Sequence, residues 1–257
     1  MQTYNLDAFL SGHVFAFMML LSRVGTVVML FPGIGESYVP RRTRMIFACL
    51  ICLVLLEPML SRFPPLPPTS TGLFFCVAHE ILIGAFFGML MRLLMEILES
   101  AGMIIGMQSG LSNATMMNPA MATQSSLPST FLSLAGLVLI FLTGIDHALI
   151  RMTVALYNIF PVNEPLALGD MTQTIIHMTN KSFQIGVEFA APFIIIGLLL
   201  YSALGLLQRM LPSIQLFLIL LPVEIWGGLM MFMLTVAGIL TLWRDFVGQS
   251  LGSFFQV

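Results

Sequence analysis

The chain is 257 residues long, 58% hydrophobic and only 9% charged, with a mean hydropathy of +0.98. A soluble domain carries about 25% charged residues, so this chain has too little charge to coat a water-facing surface and reads as an integral membrane protein. Its formal net charge of −2 and lack of a basic patch give no reason to expect nucleic acid.

The start, MQTYNLDAFL, has no basic flank and carries Asp7, so the first apolar run is expected to be retained rather than cleaved. A spanning helix needs about 20 mostly apolar residues. The first candidate is residues 8–31, which contain Arg23. It ends where Pro32, Gly33, Gly35 and Pro40 stop a helix, before the basic cluster Arg41, Arg42 and Arg44. The second, residues 45–60, is short and meets Glu57-Pro58 near its end. SRFPPLPPTST follows, and its prolines predict a stiff, extended connector. The third, residues 72 to about 98, carries His79, Glu80, Arg92 and Glu96. Arg92 and Glu96 are spaced to face each other across one helical turn.

Residues 101–126, AGMIIGMQSGLSNATMMNPAMATQSS, break the pattern. Gly102, Gly106, Gly110 and Pro119 are dense enough to interrupt a helix, and the absence of charge suits a semi-buried place. An irregular loop inside a helical assembly is expected here. The fourth candidate, residues 127–150, has Asp146-His147 near its end and extends toward Phe160. Beyond the PVNEPLALGD loop, residues 171–188 are more polar and read as an interfacial helix. The fifth span, residues 187–207, is entered past Glu188 and Pro192, and QRMLPS then turns the chain. The last run, residues 214–242, contains Pro222 and Glu224. The fold class is therefore all-α and polytopic, with about six long helices folded into hairpins and a Gly/Met-rich loop between the third and fourth.

Charge places the 36–44 loop on the cytoplasmic side by the positive-inside rule. Six alternating spans would put Arg41, Arg42, Arg44, Arg92 and Arg209 inside and Arg62, Arg151, Lys181 and Arg244 outside. So slight a bias argues against a simple six-span bundle. Charges within apolar runs cost roughly 2.5–3.5 kcal/mol each on insertion scales and face partners rather than lipid. Arg23, Glu80, Arg92, Glu96, Glu188 and Glu224, with Arg209 at the end of the fifth run, are read as pairing between helices or with other subunits. An ion or proton path is the alternative, although no run of acids and histidines lines one face.

Cys49 and Cys52 form a C-x-x-C pair without the strand-loop-helix context of a redox site, so with Cys76 they read as small buried hydrophobes. Most of the 21 methionines are core filler, and the cluster Met103, Met107, Met116, Met117 and Met121 stands apart. His79-Glu80 opens an H-E-x-x-H zinc motif, but Ile83 occupies the second histidine's place. Residues 110–114, GLSNA, lack the last glycine of G-x-S-x-G and follow a helical run rather than a strand. An intramembrane serine protease using Ser112 with His147 or His177 is one alternative. A secondary transporter, suggested by intramembrane charges and broken helices, is another, although no internal repeat supports it. No phosphate-binding loop is present, and neither a metal, a cofactor nor an enzyme activity is expected.

Three segments in order, GMQSGLSNATMMNPA over residues 106–120, FLTGIDHALI over 141–150 and GLLQRMLPSIQLFLILLPVEI over 205–225, resemble the FliR family of flagellar type III export apparatus proteins, which has counterparts in virulence injectisomes. The first is similar to the family's glycine-rich G-L-S-hydrophobic-A core followed by D-P. The second is similar to its G-x-H stretch. The third looks like its G-L-L-x-R-x-x-P signature leading to a Phe and then a Pro. Asn113 stands where a large apolar residue is common, and Asn118 where Asp is common before Pro119. The resemblance implies a core subunit of the export gate in the bacterial inner membrane at the flagellar basal body. Its implied partners are FliP and FliQ in a closed helical assembly, FlhB beside them, the lipid membrane, and unfolded substrates passing through. It implies a FliP-like part over residues 1–170 and a FliQ-like helical hairpin over 171–257, in an assembly raised toward the periplasm. It also implies a channel plug formed by Gly106, Met107, Gly110, Leu111, Ser112, Asn113, Ala114, Thr115, Met116, Met117, Asn118 and Pro119.

Overall fold

The computed structural model describes residues 6–36, 38–111, 126–162, 164–210 and 216–255. Among them are seven α-helices and no strand. These are α1 (Leu6–Leu30), α2 (Arg41–Met59), α3 (Ser70–Gln108), α4 (Leu127–Thr143), α5 (Ile145–Ile159), α6 (Leu168–Met210) and α7 (Leu216–Phe255), with a short 3₁₀ turn at Leu60–Arg62. Five helices are long and apolar enough to cross a membrane, or six spans if α4 and α5 count as one broken span. The polytopic all-α class expected from hydropathy is therefore present.

Four boundaries depart from the expected ones, the simplest being the last run, expected to end at residue 242 but continuing as α7 to Phe255. The third helix does not end near residue 98. It continues through Gly102 and Gly106 to Gln108, taking in the first residues of the expected loop. Here glycine admits a neighbouring backbone, since a Cβ at position 102 would lie 2.3 Å from Ser129 Cα. The separate interfacial helix over residues 171–188 does not exist either. It and the fifth span form the single 43-residue α6, which accommodates Pro192 internally. Apolar surroundings leave the backbone no better partner than its own helix, so a helix continues past a proline that would end it in water. The fourth run, by contrast, is cut at Gly144, whose φ of 71° is left-handed and ends α4.

The chain divides into two compact units. The first combines residues up to Arg92 with Asp146–Met178, and the second combines Leu93–Ile145 with Thr179 onward. In the first unit, Leu20, Val24 and Val28 of α1 pack with Ala48, Cys52 and Met59 of α2 and with Tyr157 of α5. The cysteines are free thiols, and Cys52 is fully buried as filler. Ser22 and Thr26 return their hydroxyls to the carbonyls of Met18 and Ser22 at 2.8 and 2.7 Å, so polar atoms in α1 cost little. Before α2, Arg44 donates to the carbonyls of Gly35, Glu36 and Val39 at 2.9–3.0 Å. One of the three arginines that sequence reads as a topology signal thus also fastens the turn between α1 and α2.

The most consequential contact in this unit is an ion pair. Arg23 and Glu80 are both wholly buried. Arg23 donates from Nε and Nη2 to the two Glu80 oxygens at 2.7 and 2.9 Å, and from Nη2 to the Phe160 carbonyl at 3.1 Å. The Tyr157 ring lies 3.8 Å from the guanidinium carbon, and its hydroxyl donates to Glu80 at 3.3 Å. A bidentate pair, a carbonyl and an aromatic face together replace much of the water both charges lost. Phe63 and Phe86 meet Tyr157 and Phe160 edge-on and shield the group. His79 donates its Nε2 proton to the Glu164 carbonyl at 3.1 Å, so the His79-Glu80 pair is committed to structure.

α1 and α3 approach closely beside this pair, where a Cβ on Gly84 would fall 2.5 Å from the Arg23 carbonyl oxygen. Two outcomes are expected in thermal unfolding of the detergent-solubilised protein. Arg23→Ala or Glu80→Ala alone should each destabilise by about 3–5 kcal/mol, because each strands a buried charge, while Arg23→Met with Glu80→Met should cost far less than the sum. Strictly additive losses would contradict the pairing. Gly84→Val should cost about 1–3 kcal/mol by overpacking, whereas Gly205→Ala, with open space around it, should be neutral or slightly stabilising.

Candidate functional site

The second unit is organised on the latter part of α3. Trp243 of α7, fully buried, donates its indole N–H to the Leu94 carbonyl at 2.8 Å. Leu98 fills the space that a side chain at Gly136 of α4 would need. Further along, each neighbour meets α3 with a glycine. Gly186 and Gly197 of α6 admit Ser100 and Gln108, and Gly228 of α7 lies against Ser109. A Cβ on any of the three would come within 2.4 Å of those side chains, so this end of α3 is gripped at backbone distance.

Beyond Gln108 the chain turns. Gly110 has a φ of 67°, which an L-residue adopts only at a cost, and a Cβ there would sit 3.2 Å from the Glu224 carboxyl carbon. Glu224 is only 6% exposed and accepts a 2.6 Å hydrogen bond from the Tyr201 hydroxyl. Beside it, α6 and α7 border a groove of about 310 Å³, with Gly197 and Gly227 among its lining and Phe193, Leu200, Val223 and Met230 as apolar walls. The chain re-enters the described structure at Ser126. Its hydroxyl donates to the Gly102 carbonyl at 2.8 Å and accepts from the Ser129 N–H at 3.3 Å, which caps α4. The Ser129 hydroxyl adds a bond to the Glu99 carbonyl at 3.1 Å. Departure and return of the intervening segment are thus both fastened to α3.

Of the residues singled out as a plug, Gly106 and Met107 lie on α3, with Gly106 buried and Met107 68% exposed. Gly110 and Leu111 form the turn. Ser112, Asn113, Ala114, Thr115, Met116, Met117, Asn118 and Pro119 lie outside the described residues, as does Met121. Of the polar set, Arg23 and Glu80 come together in the first unit, and Glu224 is buried against Tyr201. Arg92, Glu96, Glu188 and Arg209 are exposed on their helices, and Glu188 accepts from Gln184 at 2.8 Å. Sequence reasoning passed over Tyr157 and Tyr201. The available signal was that a tyrosine within an apolar run must find a partner for its hydroxyl. His147 and His177 are exposed, and His147 lies 3.0 Å from the adjacent Asp146. Among the described residues no cluster of His, Cys, Asp or Glu is arranged to hold a metal.

Residues 14–250 match the family described as bacterial export proteins, family 1. The chain is 38% identical to the flagellar biosynthetic protein FliR of Caulobacter vibrioides, over 90% of this chain and 92% of that protein. It is 30% identical to the FliR of Escherichia coli, over 81% and 79% of the two chains. The Yop proteins translocation protein T of Yersinia pestis is similar at 28% identity, over 68% and 69%. Coverage of nearly the whole chain by the family, together with five helices apolar enough to cross a bilayer, indicates an inner-membrane protein. The chain belongs to the FliR family of bacterial export proteins, as a component of the flagellar export apparatus and not an enzyme.

Proposed function

We propose that the chain is a core subunit of the flagellar type III export gate, forming with FliP and FliQ, beside FlhB, the channel through which unfolded substrates pass. In this reading residues 1–170 act as the FliP-like part and residues 171–257 as the FliQ-like hairpin, in an assembly raised toward the periplasm. The segment around residues 106–119 plugs the closed channel. Because Gly106 and Met107 belong to α3, the part of the plug outside the helix begins after Gln108.

One observation carries the plug: an uncharged segment leaves α3 at Gly110 and is tied back to α3 through Ser126 and Gly102. Along a helix those anchors are roughly 12 Å apart. Residues 112–125 can span roughly 45 Å when extended, so a tether of that length can project well beyond its anchors. A resting channel must exclude ions yet pass many sequences. Unbranched methionines such as Met107, Met116 and Met117 can adapt to a varied passage without offering a charge to an ion. A need for other subunits fits α6 and α7, whose most apolar stretches are only 17% and 11% buried against 56% for α3.

The test is ion conductance of the purified assembly in planar bilayers. Deleting residues 110–116 should turn a sealed assembly into an ion-conducting one, with the same set of subunits retained. An intact seal after that deletion would sink the plug.

A further inference from the structure

Glu224 is a buried carboxylate with an incomplete environment. Its only hydrogen-bond donor among the described residues is the neutral Tyr201 hydroxyl, and no arginine or lysine forms an ion pair with it. No side chain outside the described residues can supply that cation, since residues 1–5, 37, 112–125, 163, 211–215 and 256–257 contain no basic residue. Contrast Glu80, equally buried, which has a bidentate arginine. A carboxylate in an apolar place is held by hydrogen-bond donors or by a counter-charge, and a cation is the stronger of the two.

The space beside Glu224 is an apolar groove of about 310 Å³. The groove between α6 and α7 is lined by Gly227, where a Cβ would meet nothing within 4 Å, while the space at Gly197 is taken by the Gln108 side chain. Small residues of this kind let a second helix approach at backbone distance in an apolar medium. Large apolar side chains of its lining stand open, with Val223 at 55%, Met230 at 50% and Leu234 at 82% exposure.

We propose that this groove receives an apolar helix of another subunit of the assembly, and that this helix carries a lysine or arginine which pairs with Glu224. The occupant is thus defined by chemistry: a spanning helix, apolar on one face, with one cation at the level of Glu224. Tyr201 holds the carboxylate toward the incoming charge, and Gly227 leaves room for the backbone. The proposal rests on the chain working within a hetero-assembly, as proposed above.

The experiment isolates the assembly from membranes through a tag on this chain and counts subunits by native mass spectrometry. Wild-type chain recovered without other subunits would remove the export-gate reading itself. If wild-type retains them, Glu224→Gln should lower retention of one neighbour about tenfold, and Glu224→Lys should lower it further. A single Lys→Glu or Arg→Glu change in an apolar helix of that neighbour should restore the Glu224→Lys assembly. Gly227→Leu fills the groove without touching the carboxylate. It should reduce retention of the same neighbour by a similar factor while leaving thermal unfolding of the isolated chain unchanged, which separates docking from folding. Wild-type retention with Glu224→Gln would overturn the pairing, as would loss of bound aminophospholipid alone or of a second copy of this chain.

Discussion

Removing a charge from water is the dominant expense in an apolar protein, and the Arg23–Glu80 pair is where this chain meets it most completely. α1 and α3 are apolar over most of their length, so apolar packing alone would tolerate many rotations and axial shifts between them. The ion pair does not. Sliding α3 by one residue would move Glu80 by about 1.5 Å and about 100° around its axis, breaking both hydrogen bonds to Arg23. The Phe160 carbonyl and the Tyr157 ring extend the same restriction to α5. Gly84, one turn along from Glu80, then allows α3 to sit at the distance the pair requires.

Glycine explains both the accurate and the inaccurate parts of the sequence reading. Hydropathy located every apolar run, because run length against bilayer thickness is a property of local composition. Where runs end was less accessible. Gly102, Gly106 and Pro119 looked like one breaker-rich stretch, yet Gly102 lies inside α3 and serves as a contact surface for Ser129. Gly144 looked unremarkable inside the fourth run, yet it adopts a left-handed φ and divides α4 from α5. Composition counts glycines. Whether one bends the backbone or admits a neighbour depends on what lies opposite, and position 129 carries no local sign that it faces position 102.

The polar residues follow a similar rule. Arg23, Glu80 and Glu224 could be singled out because a charge in an apolar run is conspicuous. Their partners were less conspicuous, since Tyr157 and Tyr201 are compatible with a membrane helix in any orientation. The local pattern at His79-Glu80, set aside as a zinc motif because Ile83 replaces its second histidine, serves long-range packing instead: the side chains are directed to Glu164 and Arg23. Arg44 is the complementary case. Its charge is visible as a topology signal, but its four hydrogen bonds to the preceding turn depend on a loop geometry that hydropathy does not encode.

The two units therefore treat buried charge differently, and the difference bears on how such a chain works in an assembly. In the first unit the carboxylate of Glu80 has its cation, its aromatic cover and its tyrosine from the same chain. In the second, Glu224 has a tyrosine but no cation, glycines line the space beside it, and the long α6 and α7 leave most of their apolar surface open. A unit with a buried acid that has no cation among the described residues, beside an apolar groove of about 310 Å³, gains most from an occupant that brings the missing charge. Gly110 lies directly against that acid, so whatever settles Glu224 also settles the point from which the segment at residues 112–125 departs.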